Sequence, residues 1–433
     1  MRARSRNTIL VAAAAGALLT AGLPAAAQDK VQIDFWQRQF EDYQQEWFGS
    51  QVEAFNASQD AVEVVYEYVA GDAWDAKIVA AQAANVMPDV MTTNYNPIKP
   101  GVALGQYTKL DDLISAEAIA DIEPWVKEFV TASDGGVYAY PMLVEPSTVL
   151  FYRKSLLEAA GLEVPTTWEE LLAAARALTT DEMYGMNIAQ SAVDASWSSW
   201  GLQYNAAGHL PIADDWSAGR ATEQGFKDLA TLYTTLYQEQ LMPQEPTYGY
   251  ADCSFFGEGT VAMSACGSWA MGQLQNDWPE VWADTGIAAF PSIDGDKTKT
   301  TSTLGGWTLT VDAKSDQPQA AADFISWLLA GDPAIMTSFF DAAGYSKYPV
   351  RVSVNEALAA DPVASANTAL AVVTSDILPY AQPEPAYPWD ISLAMGTAIE
   401  KAMRGANIDE ALAEANATID TVISQQGLAG TAP

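Results

Sequence analysis

Histidine is almost missing from this chain: His209 is the only one among 433 residues. Its absence elsewhere argues against a Ser-His-Asp triad, a Cys-His pair and a multi-histidine zinc site. The stretch around it, "AAGHLPIADD", reads as a loop, where a lone histidine is usually a satisfied loop side chain. Basic residues are scarce as well. Lys and Arg number 21 against 55 Asp and Glu, for a formal charge of -34. No Lys/Arg run interrupts this acidity, so nucleic acids and anionic membrane surfaces are poor partners. The charge keeps copies soluble and apart, which favours a monomer; its sharper reading is a field that attracts cationic ligands. Nothing in the sequence calls for a cofactor or a metal. No second long apolar run follows Leu23. The one at the N-terminus, Thr8 to Leu23, is roughly 16 residues, short of the about 20 that a spanning helix needs. Arg2, Arg4 and Arg6 precede it, and Ala25-Ala26-Ala27 gives a small-x-small pattern before Gln28. Residues 1–27 are therefore expected to be a Sec-type signal peptide cleaved near Ala27/Gln28. No cysteine near that point suggests a lipid anchor. The mature chain should be exported and soluble, with a charge of about -37 once three arginines are gone.

Cysteine is limited to Cys253 and Cys266. An even pair in an oxidising compartment favours a disulfide. Geometry pulls the other way. If Cys253 opens a short helix and Cys266 closes the antiparallel strand "TVAMSAC", about four helical steps at ~1.5 Å oppose about five strand steps at ~3.3 Å. That leaves roughly 10 Å, more than a disulfide spans, so the pair fits either state.

What is present alternates between strand-like and helix-like runs, the mark of an α/β fold. About 400 mature residues suggest two or three domains. "KVQIDFW" alternates apolar and polar residues and predicts the first strand. Tyr43, Trp47, Val52 and Phe55 fit a helix, "AVEVVYEYV" alternates again, "AWDAKIVAAQAAN" is helical, and "MPDVMTT" is a short buried strand. This β-α-β-α-β order predicts a parallel sheet with right-handed crossovers. In "FYRKSLLEAAGLEVPTTWEELLAAARAL", Ser155 with Glu158 and Thr167 with Glu170 each match a capping box. Gly161 suits a left-handed helix stop, and Pro165 ends any continuation. Trp168, Leu171, Leu172, Ala175 and Leu178 form one apolar stripe. This segment is scaffold and carries no catalytic motif. No flexible linker separates the domains, so they must be joined by crossing segments.

Several stretches together resemble one family: "LFYRKSLLEAAGLEVPTTWEELLAAARAL", "FFGEGTVAMSACGSWAM", "LGGWTLTVDAKSDQPQAAADFISWLLAGDP" and "IEKAMRGANIDEALAEANATI". In order and spacing they are similar to landmarks of the extracellular solute-binding proteins of ABC importers, in particular the carbohydrate-binding, maltose-type branch (family 1). The resemblance covers nearly the whole mature chain and is specific for no ligand. It implies a two-lobe periplasmic-binding-protein fold, with the ligand held in an interlobe cleft by hinge closure. By resemblance the N-terminal lobe takes residues 28–143 and 292–340, and the C-terminal lobe takes 146–290 and 345–433. The crossings fall near 144–146, 289–292 and 341–350, with Pro146 restricting the first.

A cleft for sugars needs flat aromatic faces and planar polar groups. The chain has 14 Trp against 13 Phe, although phenylalanine fills a core as well without a polar edge. Ligands of open α/β sheets bind at the carboxyl ends of strands. That rule selects Trp36, Gln37 and Arg38 after the first strand, and Asn94, Tyr95 and Asn96 after "DVMTT". It also selects Trp269 at the turn after "AMSACG", where Gly267 permits close approach. The matching turn in the family often presents a stacking aromatic, and Trp389 with Asp390 resemble another aromatic wall of the family. Glu145 at the first crossing is either a hydroxyl acceptor or a hinge salt bridge. Arg351 near the third crossing and Trp307 after Gly305-Gly306 complete the hinge candidates. Asp194, Trp197 and Trp200 share one helical face in "SAVDASWSSW", which points to a cleft edge for Asp194 and Trp197. The expected function is the periplasmic binding component of an ABC importer, binding a mono- or oligosaccharide or polyol without catalysis and passing it to permease subunits. Two alternatives stand: an exported glycoside hydrolase, which needs paired carboxylates, and the same fold with an amine or amino-acid-like ligand.

Overall fold

The computed structural model describes residues 30–71 and 73–432, so the expected signal segment lies outside the described residues. Among them, ten strands form two sheets. The first holds β1 (Val31–Arg38), β2 (Val62–Val69), β3 (Val90–Asn94), β4 (Tyr140–Pro146), β9 (Thr303–Val311) and β10 (Gln382–Pro383). The second holds β5 (Val149–Arg153), β6 (Tyr184–Asn187), β7 (Val261–Cys266) and β8 (Thr285–Ala288). Strand order in the first sheet is β10-β9-β3-β1-β2, with β4 also on β9; in the second it is β6-β7-β5-β8.

The expected parallel start is present: β1 pairs parallel with β2 and with β3. Helices Asp42–Ser58 and Trp74–Ala84 make the crossovers, the second stopped by Asn85 in the left-handed region. Burial alternates along β1, so Ile33, Phe35 and Gln37 are inside. Phe35 meets Phe48 and Phe324 at ring separations of 5.8 and 5.3 Å, and Phe55 meets Phe324 at 5.2 Å. These rings anchor the first lobe's core. The second lobe packs Leu171, Met186, Leu232, Tyr233 and Met263 around its smaller sheet. Among the described residues, no helix is long and apolar enough to cross a membrane.

The scaffold segment follows its punctuation with one exception. Thr167 and Glu170 form a reciprocal capping box, and Gly161 takes φ +65° at the preceding stop. Ser155 does not cap its helix, which runs Lys154–Ala160. Instead Asp284 accepts from the Ser155 backbone N–H at 2.9 Å, from its Oγ at 2.6 Å and from Arg153 Nε at 2.9 Å. A carboxylate from the neighbouring strand's approach thus supplies the cap that local spacing assigned to Ser155 and Glu158.

The lobes are joined by segments that cross between the two sheets, not all of them at the expected positions. The chain leaves the first sheet at Pro146 and enters the second at Val149. It returns at β9, not near 292: Ser292 still bridges Thr167, and the Ile293 N–H donates to Asn205. The stretch 345–356 also stays with the first lobe, where Tyr348 bridges Val144 and Arg351 bridges Ile122. Helix Thr368–Val372 then reaches β8, and β10 comes back to β9 before helix Trp389–Met403 packs into the second lobe. The C-terminal portion is therefore shared between lobes. Ser147–Thr148 and Ser302–Thr303 are bonded to each other: Ser147 N–H donates to Thr303 O at 2.8 Å and Thr148 N–H to Ser302 Oγ at 3.0 Å.

Candidate functional site

The crossing strands make a floor. Gly306 takes φ +149°, and a Cβ there would stand 2.2 Å from the Leu143 carbonyl, so only glycine lets β9 approach β4 this closely. Next to it, partly exposed Trp307 meets Phe40 edge-on at 4.4 Å, and the Arg38 guanidinium lies 5.7 Å from the Trp307 ring and 5.5 Å from Phe40. Glu145 lies opposite Gly305 in the β4–β9 register. It is buried, takes a hydrogen bond from the Trp307 side chain, and pairs with Lys347 at 2.5 Å; Lys347 also reaches Glu41 at 3.1 Å. Burial alone would lower the Lys347 pKa, but the two carboxylates outweigh it and hold the ammonium well above its ordinary value. Of its two expected roles, Glu145 here makes the hinge salt bridge.

Glu384, just past β10, packs over the other side of Gly305, where a Cβ would meet its Oε1 at 2.6 Å. Burial pushes its carboxyl up to about 7; a hydrogen bond from Asn96 opposes this and the Glu145 charge adds to it. It lines a cavity of about 390 Å³ between the lobes. Tyr95, Asn96, Lys99 and Phe129 contribute from the first lobe, and Tyr204, His209, Trp216 and Tyr387 from the second. Tyr95 is fixed by its hydroxyl donating to Leu143 O at 3.0 Å and by edge contact with Phe129. His209 is held by the Leu210 carbonyl and by Glu223 at 3.1 Å.

The second lobe offers an aromatic wall beside the first crossing. Trp197 and Trp269 lie 5.9 Å apart at an interplanar angle of 39°, and Tyr250 meets Trp197 edge-on at 5.1 Å. Both tryptophans are partly exposed. The wall is tied to the first crossing by hydrogen bonds: Ser268 N–H donates to Pro146 O at 3.0 Å, and Tyr250 OH to Ser147 O at 3.1 Å. Trp269 sits on Gly267, whose Cβ would fall 1.9 Å from the ring. Its indole N–H donates to Ala251 O at 2.9 Å. Asp194, near the start of helix Ala192–Ser198, is partly exposed and accepts from Ser191 Oγ at 2.9 Å.

Several expected residues are placed or engaged differently from that expectation. β1 extends through Arg38, so Trp36, Gln37 and Arg38 lie within the strand and alternate between its faces. Gln37 points into the core and accepts from Tyr66. One face of Trp36 is covered by the Lys77 ammonium at 3.9 Å. Arg351 is buried in the first lobe, donating to Asp121 at 2.7 Å and to the carbonyls of Leu329, Ala330 and Gly331. It closes the C-terminal end of a helix, with all three of its side-chain nitrogens engaged inside the first lobe. Trp200 belongs to a new helix, Trp200–Ala207, and is buried with its indole on Ser392 Oγ, so it does not continue the face of Asp194 and Trp197. Asn94 pairs with Trp307 at the end of β3. Trp389 is 45% exposed, edge-on to Trp200 at 6.4 Å, and Asp390 is exposed beside it. Sequence reasoning missed Phe40, Lys347, Tyr250 and Glu384. "QPEPAYPW" carried an aromatic-and-acid signal close to the selected Trp389, whereas Lys347 had none.

Cys253 and Cys266 are joined by a disulfide with Cα atoms 6.3 Å apart. The roughly 10 Å offset does not arise, because Cys253 lies beside the same end of β7 as Cys266: its Sγ stands 3.8 Å from Ser264 Oγ, itself 3.4 Å from Cys266 Sγ.

Residues 41–335 match the pattern of the bacterial extracellular solute-binding proteins. A protein of Escherichia coli K12 named as the ABC transporter periplasmic-binding protein YcjN is 24% identical over 226 residues, 47% of this chain and 50% of its own. The chain spans about half the length of the curated relatives it matches, 50% and 58% of the first two. Among solved structures, the cyclic alpha-maltosyl-1,6-maltose binding protein of Arthrobacter globiformis is 24% identical with a TM-score of 0.73, over 92% of this chain and 100% of that one. The GacH receptor of Streptomyces glaucescens is 21% identical with a TM-score of 0.78, over 91% and 99%. These likenesses give the two-lobe periplasmic-binding fold to the pair of sheets described above. With its matched residues covering more than half its length, the chain belongs to the bacterial extracellular solute-binding proteins.

Proposed function

We propose that this chain is the periplasmic receptor of an ABC importer: it binds a mono- or oligosaccharide or a polyol between its lobes, closes on it, and delivers it to permease subunits without a chemical step. The observation that carries this reading is the pairing of the Trp197–Trp269–Tyr250 wall with the Glu145–Trp307 floor through the crossing residues Pro146 and Ser147. Indole faces suit the C–H surfaces of sugar rings, and fixed carboxylates and amides suit hydroxyls. Asn96 and Glu384 supply such groups in the cavity. The Arthrobacter relative is named for a maltosyl sugar, and GacH was solved with acarbose. Glu145 is engaged by Lys347, which favours a binding role over a glycosidase nucleophile.

A calorimetric and thermal-shift panel of maltose, maltotriose, trehalose, sorbitol and putrescine tests the reading. A carbohydrate or polyol at 100 Kd stabilises the fold by about 2.7 kcal/mol, and Trp269→Ala weakens that binding at least tenfold while the unliganded protein stays folded. Stabilisation by putrescine alone, or turnover of aryl glycosides without a stable complex, would refute it.

A further inference from the structure

The buried disulfide lies beside the aromatic wall, and its position has a use that stability alone does not require. The Trp269 ring depends on two segments meeting correctly. One is the turn Gly267–Ser268–Trp269, which starts right after Cys266. The other is Tyr250–Cys253, whose Ala251 carbonyl accepts the Trp269 indole N–H at 2.9 Å and whose Tyr250 ring abuts Trp197. Cys253 ends the second segment and Cys266 begins the first, and both are at most 1% exposed. A second tie runs in parallel: Gln273 accepts from the Cys253 N–H at 2.9 Å and donates to Asp252 at 2.7 Å.

We propose that the Cys253–Cys266 disulfide, with Gln273, is a positioning device for Trp269, fixing the plane of its ring by holding the Ala251 acceptor in register with the indole donor. This rests on the reading of Trp269 as a ligand wall. Its consequence for recognition is specific. The Trp269 indole N–H is spent inside the protein, so Trp269 offers a ring face only, and hydroxyl recognition must come from other groups. Preorganised aromatic surfaces bind better because the ordering cost is met before the ligand arrives.

The experiment uses the full-length mature protein with Cys253→Ser and Cys266→Ser together, and Gln273→Met separately. The latter loosens the same segment without touching sulfur and serves if the double variant fails to fold. The readout is hydrogen exchange at tryptophan indole Nε1–H by NMR, with the Trp269 signal assigned through Trp269→Phe. Trp168, whose indole donates to Pro291 O at 2.9 Å in the same lobe, is the internal standard. The expected result is a fall in Trp269 protection of at least tenfold in the double variant and a smaller fall in Gln273→Met, with Trp168 unchanged. Unchanged Trp269 protection overturns the proposal, and so does an equal fall at Trp168, which would make the disulfide a general staple of the lobe. Maltotriose affinity is measured on the same samples and weakens about tenfold in the double variant. Failure of the unaltered protein to bind maltotriose or any sugar of the panel would count against the carbohydrate reading, while the indole result still decides this one.

Discussion

Lys347→Met removes the cation shared by Glu41 and Glu145 while keeping most of the side chain's volume. In the structure the Lys347 side chain is 3% exposed and that of Glu145 10%, with Glu41 more open at 32%. Glu41 can turn to water; Glu145 cannot. Breaking a buried pair by deleting one partner costs about 3–5 kcal/mol, because it leaves an uncompensated charge. At 1.4 kcal/mol per decade, the folded-to-unfolded ratio should fall by roughly two to four decades at pH 8. Glu145 can escape only by taking up a proton, which gives the prediction its sign. In the variant its folded pKa lies above the unfolded value of about 4.3. The folded state then holds the proton more tightly, a stabilisation complete below that unfolded value and lost as pH rises through the folded one. Each unit between the two is worth about 1.4 kcal/mol. The deficit against the parent protein therefore shrinks from pH 8 to pH 5. Urea unfolding followed by tryptophan emission at both pH values reads this directly. Adding Glu145→Gln to Lys347→Met should recover most of the loss, since no charge is then left buried. A Lys347→Met deficit under about 1 kcal/mol at pH 8, or one that does not shrink with acid, would refute the reasoning.

Two further outcomes are expected. Burial raises the Glu384 carboxyl to about 7, so its contribution to stability is full below the unfolded value of about 4.3 and is lost as pH rises through about 7. The melting temperature of the parent protein relative to Glu384→Gln should fall between pH 5 and pH 8, and a constant difference would mean that this carboxyl is not desolvated. Arg351→Met should destabilise the chain by about 3–5 kcal/mol, because Asp121 and three helix-end carbonyls lose their donor together. Sugar affinity measured well below the variant's melting temperature should stay within twofold, and a selective loss of affinity would return Arg351 to the cleft.

The parts of this molecule legible in its sequence are those in which neighbours along the chain decide the outcome. The period-two pattern of β1, the Thr167–Glu170 box and the stop at Gly161 involve contacts within a few residues, and each stands as read. Trp269 could be selected because strand, glycine and aromatic are contiguous in "AMSACGSW". Reading Gln37 and Arg38 as one binding group failed on the same local physics. Adjacent residues of a strand face opposite ways, so one points into the core while the other stacks on Trp307. The remaining misses are contacts between distant segments. The carboxylate that caps the Ser155 helix comes from Asp284. Arg351 finds its carbonyls across the first lobe, and Glu384 acquires its setting only by lying over Gly305. A three-segment meeting leaves no periodic trace in any one of them.

Glu145, Lys347, Gly305 and Glu384 belong to, or directly abut, the segments that cross between the lobes. A ligand that bonds Glu145 or Glu384 therefore acts on the hinge itself. Its hydrogen bonds are added to groups already engaged by Lys347 and Asn96. Binding energy can favour the closed arrangement only where the ligand interacts differently with the two states. Groups fixed rigidly within one lobe, such as Arg351, cannot provide that difference alone. On the proposed reading, carboxylates on or beside the crossing segments can, because they stand where the segments joining the lobes meet. On the proposed reading, the floor, more than the wall, should then set how strongly a bound sugar drives the lobes together, with the wall supplying ring faces.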